Sequence, residues 1–273
     1  MNHEKRIIEL EGALNVRELG GLPLRNGRRM KHGKIIRSGR LSNLSAADRE
    51  ILEKQWKVTT IVDLRNDQEI SEQPDILPEG SRFYHIGILE GEMDGVSREE
   101  NGMAPIDRAI LRARNLHENG GAGMLLKGIY GQIAENPYCM DRIRDFFEVL
   151  LRQEHGSLIW HCTSGKDRTG VTGALLLYAL GADMETIKED YLYTNIQNDT
   201  YRANLLQVMR DRAAEEEIVE EMRVLESVDW SYVEMFFDTL ERLFGSVDRF
   251  LEERIGITPE VRARLMDVYT EAV

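Results

Sequence analysis

Two cysteines in 273 residues are too few for a disulfide framework. No uninterrupted apolar run reaches the roughly 18 residues that a membrane-spanning helix needs. Residues Met1 to Glu11 mix charges with isolated apolar side chains, so a secretory signal peptide is not expected. Basic charge is also scarce: 35 Lys and Arg face 48 Asp and Glu, giving a net charge of −13 and a pI near 5.1. That balance argues against nonspecific nucleic-acid binding and against general adhesion to anionic membranes. There is no proline-rich or serine-rich linker, no internal repeat and no low-complexity segment. The expectation is one domain over residues 1–273, a length ample for a sizeable core. A reducing compartment fits the free thiols, which means the cytoplasm as the chain is synthesised. A specialised secretion system would leave no mark legible in the sequence.

What is present concentrates between residues 161 and 170, His-Cys-Thr-Ser-Gly-Lys-Asp-Arg-Thr-Gly. The apolar run Leu158-Ile159-Trp160 precedes it and Val171 to Leu180 follows. A buried strand therefore delivers Cys162 into a tight loop that Arg168 leaves at the start of a helix. Five intervening residues suffice to curl the backbone once round a small anion, with successive amide hydrogens aimed at one centre. The helix N-terminus adds unpaired N–H donors and partial positive charge. Arg168 offers a planar fork matched to two phosphate oxygens, and the same field favours a thiolate at Cys162. The Thr169 hydroxyl is placed to hydrogen-bond the sulfur as it departs. A nucleophile beneath an anion site is the layout for covalent phosphoryl transfer. Two other chemistries fail on spacing. A nucleotide-binding loop aligned on Gly165-Lys166 has Trp160 where its first glycine belongs and Asp167 where its hydroxyl belongs. A zinc site lacks ligands, since Cys139 is distant and His161 should face away from Cys162.

The stretch resembles the His-Cys-x5-Arg-Thr signature of cysteine-dependent phosphatases. With Gly165-Lys166-Asp167 inside the loop, it is most similar to the atypical bacterial tyrosine phosphatases that also hydrolyse phosphoinositides. Further similar motifs are Asn15 to Gly21, Ile36 to Leu41, Asp63-Leu64-Arg65 and Tyr191 to Asn195, with final helices over 246–269. The resemblance implies a phosphocysteine mechanism without cofactor or metal, acting on a phosphorylated protein or a phosphoinositide. Cys162, Arg168, Asp167, Thr169 and Asp63 are the candidate catalytic residues, and Thr163, Ser164, Gly165 and Lys166 the substrate-binding ones.

The general acid is open between two aspartates, because the Trp-Pro-Asp tripeptide that supplies it in familiar tyrosine phosphatases is missing. Asp167 lies in the loop, where the resembled family places its favoured acid and base. Asp63 leaves a strand at the presumed site edge, and its alternative role is an ion pair anchoring Arg65 or Arg168. Lys166 is expected as a second cation for substrates with more than one phosphate. His161 should fix the loop from behind. Two competing functions share the cradle: a phosphate-binding regulatory module without turnover, and a sulfur-transfer or arsenate-reducing enzyme with Cys139 as partner thiol.

The surrounding pattern predicts an α/β fold with a mostly parallel central sheet flanked by helices. Strands are expected at Lys34–Arg37, Thr59–Val62, Arg82–Leu89 and Leu158–His161, with Asp63 and Cys162 emerging at their carboxyl ends. Ser45 to Asp48 reads as a capping box opening a helix to about Gln55. Gly91 to Pro105 reads as a long flexible loop, and Glu118 to Gly123 as a glycine-bearing connection between helices. After the catalytic loop the chain reads as helical: Val171–Leu180, Met184–Thr194, Tyr201–Leu225 and shorter helices beyond. Ala213 to Glu217 reads as a solvated helix face. By resemblance, helices over 200–230 form a lid, with Met222, Trp230, Tyr232, Phe236 and Phe237 either lining it or forming a buried core stripe.

Overall fold

The computed structural model describes residues 6–89 and 104–273; most of the loop expected over 91–105 lies outside the described residues. The strands are β1 (Arg17–Glu18), β2 (Pro23–Leu24), β3 (Arg28–Met30), β4 (Ile35–Ser38), β5 (Val58–Asp63), β6 (Arg82–His85), β7 (Ser157–His161) and β8 (Thr270–Ala272). The α-helices before the catalytic loop are α1 (Ala46–Glu50), α2 (Asp67–Glu72), α3 (Pro105–Glu118), α4 (Ala122–Glu135) and α5 (Pro137–Arg152). Those after it are α6 (Arg168–Ala179), α7 (Met184–Gln197), α8 (Asp199–Asp211), α9 (Glu216–Leu225), α10 (Trp230–Phe244), α11 (Val247–Arg249) and α12 (Pro259–Tyr269).

The central sheet has the order β1-β4-β7-β5-β6, parallel except for β1, which runs antiparallel to β4. Alternation along its strands splits the core in two. Ile35, Val62, Leu158 and Trp160 face the larger cluster, which extends through α4 to α6 and α10, while Ile36, Ile61 and Ile159 face a smaller one with Ile8, Val16 and Leu52. With both faces covered, the inner strands read as continuous apolar runs, as buried parallel strands do. Register aligns Ser38, Asp63 and His85 with the end of β7 at His161. The residues that follow them, Gly39, Leu64, Ile86 and Cys162, therefore leave the sheet along one carboxyl edge. A second, antiparallel sheet β2-β3-β8 joins the chain's two ends.

Local expectations fared unevenly. The Ser45 capping box is formed, with the hydroxyl accepting from the Asp48 amide at 3.1 Å and the Asp48 carboxylate accepting from the Ser45 amide at 2.9 Å. The helix continues as a π-helical turn over Ile51–Gln55. The β6 strand stops at His85, short of Leu89. The single helix expected over Tyr201–Leu225 is two, α8 and α9. Ala213 takes a left-handed φ of 56°, and its amide and that of Ala214 close on Arg210 and Met209, a C-terminal geometry that ends a helix. The Ala213–Glu217 run is thus a helix break followed by an acidic first turn, which suits the positive end of α9. Met222, Tyr232, Phe236 and Phe237 are buried in the main core cluster, with Trp230 packed against it, as a core stripe requires.

Candidate active site

The 161–170 segment forms a loop between β7 and α6 in which Gly165 has φ +66°. A Cβ at Gly165 would lie 2.4 Å from the Ser38 carbonyl oxygen, so both torsion and space require glycine. The Gly165 carbonyl accepts from Asn15 Nδ2 at 2.8 Å and from Arg37 Nη2 at 3.0 Å. In a planar trans peptide the C=O and the following N–H point opposite ways. Fastening this carbonyl outward turns the Lys166 amide toward the inside of the loop, as an anion cradle needs.

Behind the clamp lies a buried ion cluster. Asp190 on α7 pairs with Arg6 at 2.9 Å, Arg17 at 3.1 Å and Arg37 at 2.8 Å. Arg17 also bonds the Asn15 side-chain oxygen. Burial opposes ionisation of Asp190, but the three guanidiniums more than reverse it and hold its carboxyl well below the ordinary range. Asn15 itself sits at φ 57°, a left-handed position that asparagine tolerates better than most residues.

Cys162 and Arg168 are both buried. The Arg168 guanidinium donates Nη1 to Glu69 Oε2 at 2.6 Å and Nη2 to Oε1 at 2.7 Å, a bidentate fork. Glu69 also accepts from the Thr163 hydroxyl. Although burial raises the Glu69 pKa, Arg168 and Thr163 pull it down to about 2. Arg168 is correspondingly raised: burial works against its charge, but Glu69, Cys162, and Asp167 outweigh it. The Arg168 Nε and the Thr169 hydroxyl are buried without a hydrogen-bond partner among the described residues. Glu69 was not singled out from the sequence. Its signal was legible, because Asn66-x-x-Glu69 is a capping box, with Glu69 reaching back to the Asn66 amide at 2.9 Å.

The two candidate acids sit in different surroundings. Asp63 is fully buried and its carboxylate is taken up by Arg65, with Nε 3.0 Å from both oxygens and Nη2 at 2.7 Å. Arg65 bonds Asp75 as well, at 2.9 Å. Asp167, at the mouth of α6, accepts from Lys166 Nζ at 2.7 Å and from the Tyr130 hydroxyl at 3.1 Å. Lys166 is itself buried, so its ammonium is engaged by its neighbour rather than standing in solvent. Thr163 also anchors the loop through its carbonyl, which accepts from the Arg40 amide at 3.0 Å.

His161 lies behind the loop. Its Nδ1 is 3.2 Å from the Cys162 carbonyl oxygen and its Nε2 is 2.9 Å from Asp75. Burial disfavours its charge, but Asp75 and Asp63 prevail and the imidazole pKa is raised. The donor atoms of Asp63, Asp75 and His161 lie within 4.8 Å of one another. Arg65 already supplies the cation there by bonding both carboxylates, so the cluster is an ion-pair network and not a ready metal site. Cys139 is in no disulfide and is buried in α5 within the core.

Comparison with known proteins gives concordant matches. A tyrosine phosphatase family model matches residues 8–271. A Cupriavidus necator protein, named as a tyrosine-protein phosphatase, is 31% identical over 247 residues, which is 89% of this chain and 82% of that one. The triple specificity protein phosphatase PtpB of Mycobacterium tuberculosis is 27% identical over 283 residues, 96% of this chain and 98% of PtpB. A tyrosine-protein phosphatase of Nostoc commune is 26% identical over 159 residues, 58% of this chain and 47% of that one. Among the described residues no helix is long and apolar enough to cross a membrane.

Proposed function

The chain belongs to the tyrosine phosphatase family, and from that premise we propose that it hydrolyses phosphotyrosine through a phosphocysteine at Cys162, with phosphoinositides as further substrates. The observation that carries this reading is the pair of buried donors without a partner among the described residues, Arg168 Nε and the Thr169 hydroxyl, in the segment that follows Cys162. One suits an equatorial phosphate oxygen and the other suits sulfur.

The Cys162 thiolate attacks phosphorus, the bond to the substrate oxygen breaks, and Asp167 gives that oxygen its proton. Water then attacks the phosphocysteine, Asp167 takes the proton, and the P–S bond breaks to restore the thiolate and release phosphate. Thr169 donates to the sulfur in this second step. Arg168 and the amides of Thr163, Ser164, Gly165 and Lys166 hold the equatorial oxygens through both displacements, which draw on positioning and charge stabilisation. Glu69 keeps the Arg168 fork in plane. Asp63 serves as an anchor: with its carboxylate occupied by Arg65, the acid's task falls to Asp167.

The lipid assignment rests on the Gly165-Lys166-Asp167 sequence and on Lys166, whose ammonium a second phosphate would compete for. The test is turnover of p-nitrophenyl phosphate without added metal, together with isolation of phosphate on cysteine after acid quench. Cys162→Ser should abolish turnover and keep phosphate binding, and Arg168→Lys should lose most activity because an ammonium cannot reproduce the fork. Binding without turnover in the unmodified protein would point to the regulatory module instead. Lys166→Ala should impair polyphosphorylated inositides more than phosphotyrosine peptides; equal losses would confine Lys166 to shaping the loop.

A further inference from the structure

The Asp167 carboxylate bonds Lys166 from its own loop and Tyr130 from α4, and its charge also acts on Arg168 and on Tyr191 and Tyr232 from α7 and α10. Two of these partners form a chain. The Tyr130 hydroxyl lies 3.1 Å from Asp167 Oδ1 and 2.7 Å from the Tyr191 hydroxyl. Both rings are almost wholly buried, and they meet edge to face with centroids 6.4 Å apart. Tyr191 is held in place by α6 itself: a Cβ at Gly170 would come within 2.8 Å of its ring. A buried pair of hydroxyls ending on a carboxylate is conspicuous, because two phenylalanines would fill the same space without needing partners.

A group that gives a proton in one step and takes it back in the next must be held in both states. Lys166 can only donate, so it can hold Oδ2 in either state but cannot take a hydrogen bond from a proton on Oδ1. A phenol can donate or accept. With Asp167 ionised, Tyr130 gives its single hydrogen to Oδ1 and Tyr191 donates to Tyr130. With Asp167 protonated, its O–H can donate to Tyr130, which then donates to Tyr191. The chain reverses direction without any heavy atom leaving its place. Burial, with Asp167 adding to it, raises the pKa of both phenols, so both stay neutral throughout.

We propose that Tyr130, backed by Tyr191, is the positioning residue that holds Asp167 in place in both of its protonation states, resting on the assignment of Asp167 as the general acid and base. No net proton passes through the chain; its role is geometric.

The experiment compares kcat/KM across aryl phosphates whose leaving phenols span a range of pKa, for Asp167→Asn, Tyr130→Phe, Tyr191→Phe and the double variant Asp167→Asn with Tyr130→Phe. A positioned acid is worth about 10² to 10⁴ in rate and matters most for poor leaving groups. Tyr130→Phe should therefore lower kcat/KM about tenfold for an unactivated phenol and less than about twofold for an activated one. Tyr191→Phe, which leaves the contact to Asp167 intact, should show the same selectivity with a smaller amplitude. The double variant should fall no further than Asp167→Asn, because both act through one group. A loss in Tyr130→Phe equal for all leaving groups, or one that adds to that of Asp167→Asn, overturns the proposal while leaving the acid assignment standing. If Asp167→Asn shows no leaving-group selectivity, the acid assignment fails and this proposal with it. Should Tyr130→Phe fold poorly by thermal melt, Tyr191→Phe decides: no selectivity there refutes the chain.

Discussion

Replacing Asp190 by asparagine keeps the shape of the side chain and removes the negative charge that Arg6, Arg17 and Arg37 share. All four side chains are buried, so water cannot take over the role of the carboxylate. Breaking a buried ion pair by neutralising one partner costs about 3–5 kcal/mol, a large share of the 5–15 kcal/mol that a domain typically commands. For 273 residues the unfolding entropy near the midpoint is about 0.57 kcal/mol per kelvin at 2.1 cal/mol/K per residue. The expected fall in Tm is therefore about 5–9 °C, measured by calorimetry on the protein without ligand at pH 7. Since the Asp190 pKa is depressed below 3.8, its stabilisation is fully present above that value and is lost only as pH falls through the lower folded value. The gap between wild type and variant should thus stay constant from pH 5 to 8. Activity should fall as well, because Arg37 bonds both Asp190 and the Gly165 carbonyl. A shift under about 2 °C, or about 1 kcal/mol, would mean that the arginines are not held by Asp190, and would remove the argument that this cluster supports the loop.

Glu69→Gln should lower turnover about 10- to 100-fold irrespective of the leaving group, because it misplaces Arg168 rather than the acid; a loss confined to poor leaving groups in a steady-state series would contradict that role. His161→Asn should destabilise the protein more at pH 6 than at pH 9 in urea titrations. The raised imidazole pKa gives stability that is complete below 6.5 and lost as pH rises through the folded value; a gap widening with pH would reverse the assignment. Dilute peroxide should inactivate the enzyme, with recovery on thiol treatment and protection by phosphate or vanadate; failure of both anions to protect would place the reactive cysteine elsewhere.

The parallel strands β4, β5, β6 and β7 and the loop were legible because their signals are local, an apolar β-branched run, a glycine inside a tight loop and an arginine at a helix start, whereas the short antiparallel β1, β2, β3 and β8, two or three residues each, carry no such run. The helix ends were less so. Ala213 breaks α8 from α9 although alanine favours helix, and only the acidic run after it hints at a new N-terminus. Within the site, Cys162, Arg168 and Asp167 are neighbours in sequence, and the structure keeps them together. Glu69 comes from a helix too short to show a period, and only its capping pattern marks it. Tyr130 carries no local mark at all. It sits on the apolar face of α4, where an aromatic residue reads as core, and its hydroxyl acquires meaning only when α7 and the catalytic loop arrive from distant parts of the chain. Asp63 illustrates the converse, since its position at a strand end suits either catalysis or anchoring, and the Arg65 fork that supports anchoring is visible only in the structure.

The burial of Cys139 has a practical consequence. It lies in α5 with no exposed surface, whereas Cys162 lies in the loop that the proposed function makes the anion cradle. An alkylating reagent that mimics such an anion should count one thiol per folded molecule and two per unfolded one. The second equivalent then reports opening of the core, and the first reports occupancy of the cradle. A single mass spectrum taken during denaturation would separate loss of the site from loss of the fold, using no probe beyond the two sulfur atoms the chain already carries.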